Sequence, residues 1–204
     1  MLIVGSKGLG REILASMHWC DPHDEYYFFD NVDKHVPDRL FGRFKIYRTY
    51  EAVREHFQSI GRNFITARGN PLKRYRINRT FKNLGGDLTS AISRLATASP
   101  LSHYGDGVII QPGAIVSSNV TLGEGCFLNC ASIVAHDVTI GDYTTIQPGA
   151  KILGNAHIGK FCLISTNSVI MPHVKIGNLV RIGVGVIVDH DIEDGEKVGL
   201  DPSN

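Results

Sequence analysis

The segment Ile140-Gly-Asp-Tyr-Thr-Thr-Ile146-Gln-Pro-Gly-Ala-Lys-Ile152-Leu-Gly-Asn-Ala-His-Ile158 carries an aliphatic residue at every sixth position. The spacing extends in both directions, and thirteen consecutive blocks of six begin with Ile, Val or Leu. The fifth residue of every block is small or β-branched. The first positions are Ile110, Val116, Leu122, Leu128, Val134, Ile140, Ile146, Ile152, Ile158, Ile164, Ile170, Ile176 and Ile182. A repeat this regular is typical of an array in which each unit packs on the next.

A second period of eighteen residues lies on top of the first. An aliphatic residue followed by glycine recurs at Leu122-Gly123, Ile140-Gly141, Ile158-Gly159 and Ile176-Gly177. This period predicts that three blocks make one coil and that coils stack in register as short parallel strands, with the aliphatic residue pointing inward. The pattern resembles the hexapeptide-repeat signature of left-handed parallel β-helices and covers residues 108–188.

The narrow interior of such a coil explains why the two halves of the chain differ in composition. Residues 1–107 contain 14 aromatic residues and 16 Lys and Arg against 11 Asp and Glu, whereas residues 108–204 contain 3 aromatic residues and 5 Lys and Arg against 9 Asp and Glu. The whole chain has 204 residues, a net charge of +1 and 43% hydrophobic residues. These values exclude a disordered chain and argue against a general nucleic-acid binder.

The cysteines and the hydropathy pattern predict a cytoplasmic protein. The four cysteines form neither a CxxC pair nor a zinc-like spacing, and we expect them to be reduced. Cys126 and Cys162 are two coils apart, which is about 10 Å and too far for a disulfide. No stretch approaches the roughly 20 apolar residues of a membrane span, and no signal peptide is visible at the N-terminus. The four are Cys20, Cys126, Cys130 and Cys162.

Strands alternating with helices in the first half predict a parallel sheet in an α/β domain. We expect strands at 1–5, 26–29 and 63–67 and helices at 11–18, 49–59 and 71–81. This is room for one mononucleotide-binding half of a Rossmann-like fold, so NAD is not expected. The domains predicted are an α/β domain at 1–95, a linker at 96–107, and the β-helix with a C-terminal tail at 108–204.

A glycine-rich loop follows the first strand and indicates a phosphate-binding turn. Its sequence is Gly5-Ser-Lys-Gly-Leu-Gly10, and Asp30 ends the second strand about 20 positions later. Backbone N–H groups of such a loop can approach a phosphate, and an acidic residue at that distance can bind a ribose hydroxyl. A UDP-, dTDP- or GDP-linked sugar would suit one such half. The spacing differs from the standard G-x-G-x-x-G, so a tight turn without a ligand remains the alternative.

Together the two halves resemble the bacterial sugar acyltransferases of the sialic acid O-acetyltransferase type, including the N-acetyltransferases that act on nucleotide-linked amino sugars. This resemblance implies an acyltransferase that uses acetyl-CoA as cosubstrate in surface glycan synthesis. It also implies a homotrimer with active sites in the clefts between neighbouring β-helices. The motifs that carry it are Gly5–Gly10, Phe29-Asp30, Gly69-Asn70, Asn129, Ala135-His-Asp-Val-Thr-Ile-Gly141, Pro148-Gly-Ala150 and Gly154-Asn155.

His136 is the predicted general base, because it occupies an outward turn position of its block and is followed by Asp137, which can orient the imidazole. Gly154 lies eighteen residues later, and we expect it directly above His136 with its N–H directed at the thioester carbonyl. The resemblance adds Gly183 and Gly185 as a turn that binds acyl-CoA. The predicted substrate-binding residues are Gly5, Ser6, Gly8, Asp30, Gly69 and Asn129.

Three departures from the family pattern keep a rival function open. Relatives often carry a second histidine where Thr145 stands, a histidine in the glycine loop where Leu9 stands, and a different C-terminal segment from Gly199–Asn204 here. The alternative is a non-catalytic trimeric scaffold or a protein that only binds a sugar nucleotide. A metal-dependent anhydrase is disfavoured, because the repeat region at residues 108–188 contains no His-x-x-x-x-His pair, and no metal site is predicted. The sequence does not separate O- from N-acylation.

Overall fold

The computed structural model describes residues 1–18, 25–33 and 35–200. Cys20 and residues 201–204 of the C-terminal segment lie outside this description. Among the described residues, no helix is both long and apolar enough to cross a membrane.

The first part of the chain is an α/β domain whose sheet has the order β3-β4-β2-β1-β5-β6. All neighbours pair in parallel except β3 and β4, which form an antiparallel hairpin that the sequence pattern did not predict. The helices pack on both sides of the sheet. The elements are β1 Leu2–Val4, α1 Gly8–His18, β2 Tyr27–Phe29, β3 Arg39–Leu40, β4 Phe44–Tyr47, α2 Tyr50–Ser59, β5 Asn63–Thr66, α3 Pro71–Asn83 and β6 Asp87–Leu88.

Two of these helices begin at side-chain caps. The Thr49 hydroxyl accepts a hydrogen bond from the N–H of Ala52 (3.3 Å), and the Asn70 side chain accepts one from the N–H of Lys73 (3.0 Å). Such caps satisfy donors that the first turn of a helix leaves free. Pro71 follows Asn70 at the first helical position, where its missing N–H costs nothing.

The second part is a three-sided parallel β-helix in which every strand has two residues. Strands pair with the strand eighteen residues later, for example Ile109 with Phe127 and Ile110 with Leu128. We call the sheets face 1 (β7, β10, β13, β16, β19, β22, β24), face 2 (β8, β11, β14, β17, β20, β23) and face 3 (β9, β12, β15, β18, β21). The strands are β7 Ala91–Ile92, β8 Thr97–Ala98, β9 His103–Tyr104, β10 Ile109–Ile110, β11 Ile115–Val116, β12 Thr121–Leu122, β13 Phe127–Leu128, β14 Ile133–Val134, β15 Thr139–Ile140, β16 Thr145–Ile146, β17 Lys151–Ile152, β18 His157–Ile158, β19 Leu163–Ile164, β20 Val169–Ile170, β21 Lys175–Ile176, β22 Arg181–Ile182, β23 Ile187–Val188 and β24 Lys197–Val198.

The β-helix begins one coil earlier than the repeat predicts, and the predicted linker at 96–107 is wrong. Strands β7, β8 and β9 pair with β10, β11 and β12 and form a complete first coil. In this coil the inward positions hold Ile92, Ala98 and Tyr104, which pack against the β-helix core. Because Ala and Tyr interrupt the aliphatic series, the six-residue pattern does not reveal this coil, and the boundary of the α/β domain moves from residue 95 to before Ala91.

The last coil is shorter than the others. Arg181 pairs with Lys197 and Ile176 with Ile192, a spacing of sixteen residues in place of eighteen. Below it, the inward Ile, Val and Leu residues form one continuous core that includes Cys126 and Cys162. Burial raises the pKa of the Cys126 thiol to about 12 and that of Cys162 to about 11, so both are inert at neutral pH.

The α/β domain packs on face 1 of the β-helix. Outward residues of this face, Ala91, Ile109 and Phe127, share one apolar core with Ile3 and Ile13. Helix α3 also contacts the corner between faces 3 and 1, where Tyr75 lies edge-on to the stacked rings of Tyr143 and Phe161. The described residues of the N-terminal domain therefore cover face 1 of the three-sided prism and leave faces 2 and 3 uncovered.

Candidate active site

His136 lies at the corner between faces 2 and 3, which we call the 2/3 corner (residues 117–120 and their equivalents in the next coils). The inward Val134 ends its strand two residues earlier, so the chain turns outward at His136. The side chain is 60% exposed, and its Nδ1 lies 2.7 Å from Oδ2 of Asp137. This contact favours the tautomer that carries the proton on Nδ1 and leaves the lone pair on Nε2, the atom that a general base requires.

Asp137 is held in place by the coil below. Its Oδ1 accepts a hydrogen bond of 2.6 Å from the side-chain amide of Asn119, eighteen residues earlier. The hydrogen bonds from Asn119 and His136 lower the pKa of Asp137 below its usual value. The carboxylate is therefore ionised at neutral pH and can stabilise a protonated His136.

The backbone at this corner explains why Asn and Asp recur there. Asn119, Asp137, Asn155 and His173 stand one above another, and all have φ between 57° and 67°. Asn and Asp tolerate this left-handed conformation better than most residues, because their short side chains can hydrogen-bond locally. The turn geometry of the β-helix thus selects the residue type that also orients the histidine.

Gly154 lies against the imidazole, one coil above it. A Cβ at this position would be 2.8 Å from Cε1 and 3.0 Å from Nε2 of His136, and the N–H of Asn155 donates to the His136 carbonyl (3.1 Å). Among the described residues, no group accepts a hydrogen bond from the Gly154 N–H. The corner therefore combines an imidazole, an ionised carboxylate and a free backbone donor.

The glycine loop and Asp30 lie at the other candidate region, a cavity of about 240 Å³ at the carboxyl ends of β1, β2 and β5. Gly5, which has a φ of 113°, and Asp30 line this cavity. Gly8 has open space around its Cα, and its neighbour Gly10 packs so closely that a Cβ there would overlap the Gly5 carbonyl. The strand-to-helix turn predicted from the glycine spacing is present.

Asp30 is occupied by donors of its own chain. Its carboxylate accepts hydrogen bonds from the Ser6 hydroxyl (2.5 Å), the Ser6 N–H, and the N–H groups of Val32 and Asp33. Burial alone would raise the pKa of Asp30, but these bonds together lower it. Asp30 thus organises both loops that border the cavity, a role that sequence spacing did not indicate.

Arg68 and Tyr50 also line the cavity and were missed by sequence reasoning. Tyr50 stacks on Phe29, with ring centroids 5.2 Å apart. Arg68 lies two residues beyond the carboxyl end of β5, the strand beside β1. Ligands of open α/β sheets bind at the carboxyl ends of the strands, and this rule could have drawn attention to Arg68.

Gly69 and Asn129 both lie beside Gln147 near the corner between faces 1 and 2, which we call the 1/2 corner (residues 111–114 and their equivalents). A Cβ on Gly69 would be 4.0 Å from Nε2 of Gln147, and Oε1 of Gln147 accepts a hydrogen bond from the Asn129 amide (3.3 Å). Gly185, with a φ of 69°, belongs to this corner as well. Gly183 lies there too, and a Cβ on it would overlap the Gly199 carbonyl.

Arg74 is a buried cation that no sequence pattern indicated. It is 1% exposed. In the part of the chain that the structure describes, its guanidinium donates only to backbone carbonyls, those of Gly125 (2.9 Å), Tyr143 (2.8 Å), Thr144 (3.4 Å), Arg68 (2.8 Å) and Gly69 (3.1 Å). Burial lowers its pKa to about 10, so it remains protonated at neutral pH. Arg74 therefore ties α3 and the loop at residues 68–69, between β5 and α3, to the corner between faces 3 and 1, which we call the 3/1 corner (residues 123–126 and their equivalents).

The predicted site residues thus fall in separate places. His136, Asp137 and Gly154 lie at the 2/3 corner, which is the corner opposite face 1. The cavity with Gly5 and Asp30 belongs to the domain on face 1, and Gly69, Asn129, Gly183 and Gly185 lie at or near the 1/2 corner. A single chain does not bring these groups to one site. No group of three or more His, Cys, Asp or Glu that could hold a metal is found within residues 1–18, 25–33 and 35–200.

Comparison with known proteins gives one sequence-family match and extensive structural similarity. Residues 119–154 and 155–190 match the family described as bacterial transferase hexapeptide (six repeats). Among curated proteins, no sequence is significantly similar to this chain.

The structural matches span almost the full chain. The acetyltransferase domain of PglB from Neisseria gonorrhoeae, solved with acetyl coenzyme A, is 26% identical and superposes with a TM-score of 0.86, covering 97% of this chain and 95% of that one. A variant of perosamine N-acetyltransferase from Caulobacter crescentus, solved with CoA and GDP-perosamine, is 21% identical with a TM-score of 0.88 and coverages of 97% and 92%. WeeI from Acinetobacter baumannii is 22% identical with a TM-score of 0.80 and coverages of 96% and 94%.

These matches confirm the fold predicted from the sequence, an α/β half-Rossmann-like domain followed by a left-handed parallel β-helix. The predicted resemblance to hexapeptide-repeat sugar acyltransferases is confirmed with it. Residues 119–190 thus match the bacterial transferase hexapeptide model, and the chain shares its fold with these sugar acetyltransferases over nearly its whole length.

Proposed function

We propose that this chain is an acyl-CoA-dependent acyltransferase, using acetyl-CoA, that acylates an amine or hydroxyl of a nucleotide-linked sugar in surface glycan synthesis. The observation that carries the proposal is the 2/3 corner, where the Nδ1 of His136 contacts Asp137 and Gly154 lies against the same ring. Acyl transfer needs a base and a donor for the oxyanion, and this corner offers both.

The reaction follows from these positions. The amine or hydroxyl of the sugar attacks the thioester carbonyl while Nε2 of His136 accepts its proton. The Gly154 N–H stabilises the oxyanion of the tetrahedral intermediate, and Asp137 stabilises the protonated imidazole. The intermediate collapses, the C–S bond breaks, and the CoA thiolate takes the proton back from His136.

The relatives support this choice of substrates. The PglB domain was solved with acetyl coenzyme A, and the perosamine enzyme, which has the same fold, was solved with CoA and GDP-perosamine. In this chain the nucleotide part of such a sugar would bind at the cavity at the carboxyl ends of β1, β2 and β5, where Arg68 can neutralise phosphate charge. Acyl-CoA would lie along the β-helix with its thioester near Gly154.

A homotrimer would bring the separated groups together, and face 2 is the surface that fits such an assembly. Its outward positions are mainly apolar, and Ile115 and Ile187 are 42% and 67% exposed. Face 3 instead presents His103, Thr121, Thr139, His157 and Lys175, while face 1 is covered. If face 2 packs around a threefold axis, the 2/3 corner of one chain approaches the 1/2 corner of its neighbour. The protein would act in the cytoplasm.

One assay tests the chemistry. Acetyl-CoA turnover is measured with UDP-, dTDP- and GDP-linked amino sugars, for the native chain, His136→Ala, and His157→Ala as a control at an exposed histidine of the same β-helix. We expect His136→Ala to lose about 100-fold or more in kcat, and His157→Ala to lose little. Equal turnover of His136→Ala and the native chain would contradict the mechanism. Nucleotide binding without turnover would favour the scaffold or binding protein.

A mixing experiment tests the shared site. His136→Ala and Arg68→Ala are each expected to be inactive or weak. In an assembly of either variant alone, every shared site lacks either the imidazole or the arginine. When equal amounts of the two variants are unfolded together and refolded, about a quarter of the native sites should return. In one quarter of the interfaces, one chain supplies a native His136 and its neighbour supplies a native Arg68. If the site is complete within one chain, mixing restores nothing.

A further inference from the structure

The carbonyl of Gly69 is held from both domains. It accepts a hydrogen bond from Nη1 of Arg74 (3.1 Å), on helix α3, and another from Oγ1 of Thr145 (2.9 Å), on face 1 of the β-helix. The carbonyl of Arg68, one residue earlier, accepts from the same Nη1 (2.8 Å). Two consecutive peptide groups are thus fixed by donors that are themselves buried.

The hydroxyl of Thr145 donates its hydrogen bond to the Gly69 carbonyl. Thr145 lies at an outward position of β16, yet it is 0% exposed because the α/β domain covers it. Its hydroxyl donates to Gly69 across 76 positions of sequence. A buried hydroxyl with a fixed acceptor costs more to lose than an exposed one, because the acceptor is left without a partner.

The held segment borders the candidate nucleotide cavity. Arg68 lines that cavity together with Gly5 and Asp30, and its backbone leaves β5 at the carboxyl edge of the sheet. The hydrogen bonds that hold the backbone of residues 68–69 therefore also fix the position of the Arg68 Cα relative to the cavity. The donors come from the β-helix and from α3, so the cavity is shaped by the packing of the α/β domain on face 1.

We propose that Thr145 and Arg74 are positioning residues that hold the 68–69 loop in the conformation that binds the nucleotide sugar. Neither residue touches the substrate; they act through the Gly69 and Arg68 carbonyls. The β-helix thereby sets the affinity of a cavity in the other domain. This inference rests on the proposed function for its substrate, but the loop contact itself is independent of catalysis.

The test compares three threonine variants of the full chain. Thr145→Val removes the hydroxyl at nearly constant volume, and Thr145→Ser keeps it. Thr144→Val is the matched control, because Thr144 is also 0% exposed but its hydroxyl donates to Gly159 within the β-helix (2.7 Å). Amide hydrogen exchange over residues 66–72 and steady-state kinetics are measured for each.

We expect Thr145→Val to speed exchange at residues 68–70 and to raise KM for the nucleotide sugar about threefold to tenfold, the worth of one hydrogen bond. Both kcat and KM for acetyl-CoA should stay within about twofold, since the 2/3 corner is untouched. Thr145→Ser should resemble the native chain, and Thr144→Val should lower stability without changing either readout. Arg74→Lys, which keeps the charge but has fewer donors, should act in the same direction as Thr145→Val.

Unchanged exchange at 68–70 in Thr145→Val and Arg74→Lys would overturn the proposal. An equal rise of KM in Thr144→Val would also overturn it, because the effect would then follow stability alone. If the native chain shows no turnover, the proposed function fails, but the exchange comparison and binding of UDP, dTDP or GDP still decide whether the loop is held in this way.

Discussion

The imidazole of His136 lies so close to the backbone of Gly154 that a methyl group on residue 154 would be 2.8 Å from Cε1 of the ring. The two residues are eighteen positions apart, and the coil period alone brings them into contact. Gly154 has no positive φ, so its backbone accepts other residues. The glycine is required by the neighbouring ring.

Gly154→Ala should therefore reduce activity with little effect on stability. The Cβ forces the exposed His136 ring to rotate away from its contact with Asp137, and we expect kcat to fall about tenfold to 100-fold. The free energy of unfolding should change by less than about 1 kcal/mol, because the ring can move into solvent. Gly61→Ala is the control, since Gly61 is exposed with no atom within 4 Å of an added Cβ. A native kcat in Gly154→Ala would show that the ring position does not matter.

Asn119→Ala should weaken catalysis through Asp137. The hydrogen bond from the Asn119 amide is the largest cause of the lowered pKa of Asp137. Its loss should raise that pKa toward the ordinary range of a carboxyl group. Asp137 would still be ionised at pH 7, so we expect a loss of only about twofold to tenfold in kcat, from poorer orientation of the imidazole. Comparison with Asp137→Asn, which should lose more, checks the order. An Asn119→Ala effect as large as that of Asp137→Asn would contradict this reading.

His56 should make the protein less stable in mild acid. It is 3% exposed, its Nδ1 lies 3.2 Å from the Tyr47 hydroxyl, and burial lowers its pKa to about 4 from 6.5. Between about pH 4 and pH 6.5, the His56 imidazole binds a proton in the unfolded chain but not in the folded chain. Stability is therefore fully present above about pH 6.5 and falls toward pH 4, with a slope of up to about 1.4 kcal/mol per pH unit.

Urea unfolding at pH 7.5, 6 and 5 measures this slope. His56→Gln, which keeps a hydrogen-bonding group, should flatten the curve above pH 5. His157→Gln, at an exposed position of face 3, should leave the native slope unchanged. Parallel curves for His56→Gln and the native chain would mean that His56 is not the source of the acid sensitivity.

Arg74→Met should be strongly destabilising. The substitution fills much of the same space but leaves buried carbonyls of Gly125, Tyr143 and Arg68 without a donor. We expect a loss of about 3 to 5 kcal/mol in the free energy of unfolding. Arg76→Met, at an exposed position of the same helix, should change stability by less than about 0.5 kcal/mol. A cost below about 1 kcal/mol for Arg74→Met would show that water replaces the guanidinium.

Charges on face 2 should prevent assembly. Ile115→Glu with Ile187→Glu places two carboxylates on the exposed apolar positions of β11 and β23. Light scattering should report a folded monomer in place of the proposed trimer, and the proposed acetyl transfer should be lost with it. Thr121→Glu with Lys175→Glu, on face 3, is the control. A native mass that survives charges on face 2 would exclude this face as the interface.

The sequence predicted the regular part of the fold because the coil interior accepts few residue types. Val134 and its equivalents had to be aliphatic, so their spacing was visible, and the same spacing placed Gly154 beside His136. The first coil was hidden because Ala98 and Tyr104 break the series, although their backbone pairs as in every other coil. The last coil was not visible in the repeat because it has sixteen residues in place of eighteen.

The contacts between the domains could not be predicted. Arg74 looks like any helical arginine in the sequence, and only the packing of α3 against the 3/1 corner buries it. Thr145 was noticed only as a position where relatives carry histidine, and the structure shows what its hydroxyl does. Such contacts depend on how two domains meet, which no local pattern records.

Because each regular coil has eighteen residues, the β-helix can be shortened by whole coils. Removing residues 157–174 would delete one whole coil, restore the same inward residue at each joint, and leave His136 and Gly154 in contact. The chain above would descend by one strand spacing, about 4.8 Å. Gly183 and Gly185 would come closer to the level of the 2/3 corner by that amount, and every pairing register would be kept. The distance along the β-helix from the contact of His136 with Gly154 to the turn at Gly183 and Gly185 can thus be shortened in whole coils. Under the proposed function, the length of acyl donor that still reacts would report this distance.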